Sequence, residues 1–254
     1  MNTMQHTNVM IAAVAGLLAS AMPASAAPIN YGDFSGTTVM YLDVTEDSGT
    51  DPTPLYGLPS ITGDTLDFSP TTFESSAAGN SGVDITDGTL SFMVMANPGV
   101  FIGSLLFTEA GNYTLSGIGG AGTFASVTAD FVIEIVEVDG IGINPVQFQS
   151  SMAFNPSAGN FDLANDPATG AWTGSLNADI TGALIANNIP YIGGATKVTV
   201  TLDNTLATLS EFESGAQIEK KDFDITTTTF PEPTSLALLG LGAVGVMLPR
   251  RRVS

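Results

Sequence analysis

The chain reads as an all-β protein, a β-sandwich of jelly-roll-like or related kind, on three observations. Short stretches alternate apolar and polar residues with a period of two, and turn-forming Gly, Asn and Asp punctuate them at intervals typical of sandwiches and barrels. No central stretch holds a helical period beyond about two turns. The alternation is strict in Lys197-Val198-Thr199-Val200-Thr201-Leu202-Asp203, so Val198, Val200 and Leu202 are expected to face a core while Lys197, Thr199 and Thr201 face water. Phe223 and Ile225 repeat the pattern against Asp222 and Asp224.

In chain order, the first element stands outside that fold. Residues 9–18 (VMIAAVAGLL) form an apolar run of signal-peptide length, Pro23 breaks a helix behind it, and Ala24-Ser25-Ala26 is the small-x-small pattern that signal peptidase accepts. Cleavage is expected after Ala26, so that the mature chain starts at Ala27. The leader (1–26) has no Lys or Arg before its apolar run, and only the α-amino group supplies positive charge there.

Residues 27–229 are expected to form one β domain with a single sizeable core. About ten or eleven strands are read, the clearest at 37–44, 89–95, 100–107, 112–118, 125–138, 146–154, 172–180, 196–206 and 222–229. Turns are expected at Asp87-Gly88, Ala110-Gly111-Asn112, Gly119-Gly120 and Asp139-Gly140, where Gly or Asn tolerates positive φ. No repeat of 20 to 50 residues is visible.

Composition excludes several functions. Of 25 acidic residues only Glu232 lies outside 27–229, whereas that region holds three basic ones, Lys197, Lys220 and Lys221. So acidic a surface repels phosphate backbones and anionic headgroups, and it has no Arg for bidentate phosphate contacts, which sets nucleic acid aside as a partner. With no Cys, there is neither a disulfide nor a thiolate nucleophile. The sole His, His6, sits in the leader, so the mature domain lacks imidazole for a serine triad, a zinc site or a general base. No catalytic residue is assigned, and the chain is read as non-enzymatic.

Three groups of residues could still carry chemistry. Asp43, Glu46, Asp47 and Asp51 crowd one segment (DVTEDSGTD), and oxygen-rich loops can hold Ca²⁺, although the spacing matches neither an EF-hand nor an RTX nonapeptide and Asx-rich turns also arise without metal. Asp84 with Asp87 is a weaker pair of the same kind. Asp47-Ser48-Gly49-Thr50 imitates the aspartic-protease motif but has no second copy and no apolar lead-in. Paired carboxylates among Glu109, Glu134, Glu137, Glu211 and Glu213 could serve glycoside hydrolysis. Trp172, Tyr56, Tyr113 and Tyr191 could form a platform for sugar rings, although aromatics on strands more often belong to a core.

The C-terminal segment (230–254) is the most specific feature. Phe230-Pro231-Glu232-Pro233 precedes an apolar stretch at about 234–248 (TSLALLGLGAVGVML), then Pro249 and the cluster Arg250, Arg251 and Arg252. A helix of that length spans about 22 Å at about 1.5 Å per residue, short of a hydrocarbon core of about 30 Å, so it is a marginal anchor. The arginines hold its end on the cytoplasmic side and leave Pro-Glu-Pro, kept extended by its prolines, on the other face.

This order of elements resembles the PEP-CTERM sorting signal processed by exosortases in Gram-negative bacteria that make exopolysaccharide. The match covers about the last two dozen residues and departs at Phe230, where family members often carry Val. The resemblance implies an exosortase-like membrane protease as partner, a cut near Pro231 to Pro233, and release of the domain or its transfer to another anchor. It implies an exported protein, held briefly at the inner membrane and then found at the cell surface or outside it, with a structural or adhesive role and exopolysaccharide as a possible partner. The alternative expectation is a secreted carbohydrate-binding module or a carboxylate-based carbohydrate-active enzyme. No cofactor is expected apart from possible Ca²⁺.

Overall fold

The computed structural model describes residues 27–79 and 82–232. The leader with Ala24 and Ala26, and the tail from Pro233 through the apolar stretch to Arg250, Arg251 and Arg252, lie outside the described residues. Among the described residues no helix is long and apolar enough to cross a membrane.

The fold is all-β, as expected. Fourteen strands occur in the order β1 (Ile29–Ser35), β2 (Val39–Asp47), β3 (Ser60–Thr62), β4 (Thr65–Phe68), β5 (Glu74–Ala78), β6 (Gly82–Ala96), β7 (Val100–Gly117), β8 (Phe124–Val138), β9 (Ile141–Ser151), β10 (Ala153–Asn155), β11 (Asn160–Asp162), β12 (Thr169–Asp179), β13 (Ala195–Ser210) and β14 (Ser214–Pro231). Among the described residues the one α-helix, α1 (Ile180–Ala186), follows β12 and is capped by the Asp179 carboxylate, which accepts from Gly182 N at 2.8 Å.

All strand pairs are antiparallel, and they arrange as two layers. The first runs β1-β2-β6-β13-β8, with β9 and β11 sharing the outer edge of β8. The second runs β10-β12-β7-β14, with β4 and β5 sharing the outer edge of β14 and β3 beyond β4. A bridge between Ala195 and Ile102 links β13 to β7, so the two layers are joined at one corner.

The inner faces interdigitate into one core. Val198, Val200, Leu202, Phe223 and Ile225 are buried as the alternation predicted. Phe107 of β7 meets Phe131 of β8 with centroids 4.4 Å apart, and Tyr113 of β7 stacks on Phe161 of β11 at 4.1 Å, both contacts crossing between layers. Tyr41 of β2 reaches across to β14, where its hydroxyl lies 2.8 Å from Thr227 Oγ1 and donates toward the carbonyls of Asp64 and Ile225.

Two expected turns are strand interior instead. Gly88 lies within β6, and Ala110-Gly111-Asn112 lies within β7, which fuses the strands expected at 100–107 and 112–118. The glycines are there for space: a Cβ on Gly88 would meet the Phe73 ring at 2.8 Å, and one on Gly111 would collide with the Trp172 indole and the Glu219 carbonyl. Gly119-Gly120 and Asp139-Gly140 are connections as expected. Asp139 and Gly140 both take positive φ, 51° and 74°, and close the β8–β9 hairpin in two residues. Ile180, expected to end a strand, instead begins α1. β1, β3, β4, β5 and β11 are short or broken, and even the strict alternation of β4 spans only four residues.

Candidate functional site

The acidic segment around β2 does not assemble as a cation site. Asp43 is exposed, whereas Glu46, three residues on, is fully buried. The Glu46 carboxylate accepts from the backbone N–H groups of Leu55, Tyr56 (3.2 Å) and Gly57 (3.3 Å) and from the Tyr31 hydroxyl (2.6 Å). It pins the loop after β2 and has no oxygen to spare for a metal. Asp47 accepts from Ser48 N, and one oxygen of Asp51 is enclosed without a partner. The Ser48 hydroxyl donates to Asp87 O at 2.6 Å, so the protease-like tetrad is tied down against β6. Asp84 accepts from Ser76 N at 2.7 Å and is likewise engaged. Among the described residues, the three or more carboxylates that do converge, with oxygens within 4.8 Å, are Asp67 of β4 with Asp222 and Asp224 of β14, on an outer face. Burial, then the charges of Asp222 and Asp67, push the Asp224 carboxyl up. Exposed acidic groups of this kind are common without an ion.

The aromatic platform is also dismantled. Trp172 is 1% exposed, packed over Gly111 and edge-on to Phe154 at 5.9 Å. Tyr56 is wholly buried among Phe68, Phe73 and Phe223, with its hydroxyl donating to Gly88 O at 3.1 Å. Tyr113 is spent on Phe161, and Tyr191 is half-buried against the core. Trp172, Tyr56 and Tyr113 are therefore core residues that offer no ring face to a sugar, and Tyr191 is left without partners for a platform.

The proposed glutamates scatter. Glu137 pairs with Lys197 at 3.1 Å on the surface, and the Thr196 hydroxyl first, then Lys197, hold its carboxyl below the ordinary range against partial burial. Glu134 accepts only a long 3.5 Å contact from Thr199. Glu211 ties down the β7–β8 loop through Gly120 N and Thr123 Oγ1, and Glu213 is a positive-φ turn residue. Glu109 is inside the core.

Two arrangements escaped the sequence reading. On the outer face of the first layer, Asp87, Asp203 and Asp130 lie on the neighbouring strands β6, β13 and β8, with Asp203 directly opposite Asp130. A groove of about 620 Å³ beside them is lined by Thr201, Gln149, Ser150 and Ser151. The Asp203 carboxyl is pushed up from 3.8 to about 6 by desolvation, by its hydrogen bond with Asp87, and by the charges of Asp87 and Asp130. The second arrangement is buried: Glu109 of β7 contacts Lys220 of β14, and Asn204 Nδ2 of β13 donates to both Glu109 oxygens at 3.1 Å.

β14 continues past the expected domain boundary through Phe230 and Pro231, opposite Phe101 and Val100. Glu232 N donates to Gly99 O at 2.9 Å. A groove of about 430 Å³ runs beside this end of β14, lined by Pro98, Phe101, Ile192 and Glu232 among others. Ile192 is exposed there, and two further exposed apolar residues adjoin lining residues, Phe230 as the strand partner of Phe101 and Ile141 next to Gly140. Asp139 holds the rim together by accepting from Ile192, Gly193 and Gly194 N. Burial alone would raise its carboxyl, but these backbone donors outweigh that and lower it.

No protein-family model matches the chain, and no curated protein matches it. Solved structures with some likeness include TmCBM61 in complex with beta-1,4-galactotriose, at 11% identity over 66% of this chain and 70% of that one, with a TM-score of 0.19. The family 11 xylanase from Neocallimastix patriciarum is 10% identical over 79% and 99% of the two chains, with a TM-score of 0.21. The family 12 xyloglucanase from Bacillus licheniformis in complex with ligand is 11% identical over 80% and 99%, also at 0.21. At such scores these likenesses carry no functional argument.

Proposed function

We propose that this chain is an exported surface protein of the extracellular matrix, delivered through its C-terminal Pro-Glu-Pro segment and acting there as a structural or adhesive module. The observation that carries this reading is how the Pro-Glu-Pro segment joins the fold. Among the described residues strand pairing runs to Pro231 and Glu232 N donates to Gly99 O, so the first two residues of the motif are tied directly to the domain. A cut at or after Glu232 removes the tail without breaking a strand. Exposed Ile192 and Phe230 lie at the same end, which suits a domain held close to a membrane before release. A non-enzymatic role is supported by the fate of two of the expected carboxylates, Glu137 and Glu211, which are engaged by Lys197 and by the β7–β8 loop, and by Trp172, Tyr56 and Tyr113, which are core.

The test is fractionation of an exosortase-positive host expressing the chain with Arg250, Arg251 and Arg252 either intact or replaced by Ala. Surface or medium localisation that depends on the arginines supports the reading. Equal distribution of both forms contradicts it.

One observation favours a second reading, a carboxylate-based carbohydrate-active site at Asp203 and Asp130. Asp203 and Asp130 are directly opposed on neighbouring strands and line one groove, which places two carboxyl groups side by side, the pairing on which glycoside hydrolysis depends. Asp203, protonated more readily than an ordinary Asp, would be the acid. Product analysis on exopolysaccharide, lost in Asp203→Asn, would support this reading, and absence of products from the parent chain removes it.

A further inference from the structure

The buried cluster of Lys220, Glu109 and Asn204 has no part in sorting or in either surface reading. Each residue comes from a different strand, at a position where alternation points into the core. Lys220 follows Ala216 and Ile218 on β14, Asn204 follows Val200 and Leu202 on β13, and Glu109 follows Leu105 and Phe107 on β7. All three are at most 2% exposed. A bulge in β14 between Lys220 and Asp222 then resets the alternation so that Phe223 and Ile225 also point inward.

The ammonium is enclosed by three rings, with centroids 5.0 Å away in Tyr56, 5.0 Å in Phe73 and 4.8 Å in Phe223. Its ion-pair partner is Glu109 Oε2, an oxygen that also accepts from Asn204 Nδ2. Lys220 Nζ makes no hydrogen bond of good geometry, and Asn204 Oδ1 has no partner. A buried Lys–Glu pair in such a place is a poor stabilising device, because apolar residues of similar volume usually serve as well or better. An amine, a carboxamide and a shared carboxylate in a dry apolar pocket are instead the reactants and proton carrier for amide exchange.

We propose that Lys220 and Asn204 become joined by an intramolecular isopeptide bond, with Glu109 as the catalytic proton-transfer group. Lys220 gives a proton to Glu109, leaving two neutral groups, which the apolar surroundings favour over two charges. The Nζ lone pair attacks Asn204 Cγ and forms the new Nζ–Cγ bond. Glu109 hands its proton to Nδ2 and takes another from Nζ, and the Cγ–Nδ2 bond breaks. The products are a secondary amide, one ammonia, and a Glu109 carboxyl carrying the proton it has just received. No oxidant or cofactor is needed. Burial pushes the Lys220 amine down in spite of the opposing charge of Glu109, which favours the neutral nucleophile. The bond would fasten β13 of one layer to β14 of the other, giving a cysteine-free exported domain a covalent tie that no reductant cleaves.

The test is mass spectrometry of the full chain, purified in folded form and denatured for measurement, with its termini determined in the same sample. The expected result is a mass below that of the sequence by one ammonia. Digestion with a protease cutting at acidic residues should give one branched peptide in which fragment ions join Lys220 to Asn204. Glu109→Gln and Lys220→Met should each regain the full mass. A folded parent chain at full mass overturns the proposal. So does an ammonia loss mapped to any unbranched peptide, as a succinimide would give.

Discussion

Replacing Glu46 tests whether an acidic side chain in a seemingly metal-binding loop is really a structural staple. Its carboxylate satisfies three backbone N–H groups, those of Leu55, Tyr56 and Gly57, and the Tyr31 hydroxyl. Glu46→Ala leaves the three N–H groups unpaired beside side chains, Leu55 and Tyr56, that are themselves in the core. Each orphaned buried donor costs about 1–3 kcal/mol. Allowing for partial relaxation, a total of about 3–5 kcal/mol is expected, in line with removing one partner from a buried charged network. Glu46→Gln keeps one acceptor for Leu55 and Tyr56 and presents its amide to Tyr31, whose hydroxyl can turn to accept. Only Gly57 N–H is then stranded, at about 1–3 kcal/mol. At about 2–4 °C per kcal/mol for a domain of this size, thermal unfolding followed by circular dichroism should place the Ala variant roughly 10 °C below the parent, with Gln between them. Added Ca²⁺ should leave that order unchanged. An Ala variant melting with the parent, or a Ca²⁺-dependent rise lost in both variants, would refute the reasoning.

Trp172 is the only tryptophan, so the parent chain should show blue-shifted emission that acrylamide barely quenches and that exopolysaccharide does not alter; a quenchable, sugar-sensitive signal would restore the platform. Trp172→Ala should cost about 3–5 kcal/mol in denaturant unfolding. Gly111→Ala drives a methyl into the same indole and the Glu219 carbonyl, and should cost at least about 1–3 kcal/mol. Asp203 holds its proton more tightly in the fold, near 6 against an ordinary 3.8, so ionising it opposes folding. That cost is absent below about 4 and complete above about 6, and stability should fall as pH rises through this window. Asp203→Asn should melt higher than the parent at pH 7 and flatten the dependence, and an unchanged profile would contradict the assignment.

The long strands were legible because their alternation is strict: β8 and the 198–202 stretch of β13 lie where the pattern put them. The errors came from treating Gly as punctuation. Gly88 and Gly111 sit mid-strand because the rings of Phe73 and Trp172 pack against them, a requirement set by residues distant in the chain that no local window contains. Glu46 was misread for the same reason, since its partners come from a loop whose course only the fold defines. The Lys220 cluster was more accessible. Lys220, Asn204 and Glu109 each occupy an inward position in a run of alternating apolar residues, and three polar residues at core parity are a signal in themselves. Asp203 with Asp130 depended on register, which alternation does not supply.

The central claim, that the chain is sorted through its tail, is tested most directly by the intact mass of the protein recovered from cells and medium of an exosortase-positive host and of the same host lacking that protease. The account predicts a species beginning at Ala27 and ending between Pro231 and Pro233 in the first host alone. A species that retains Arg252 in both hosts would contradict it.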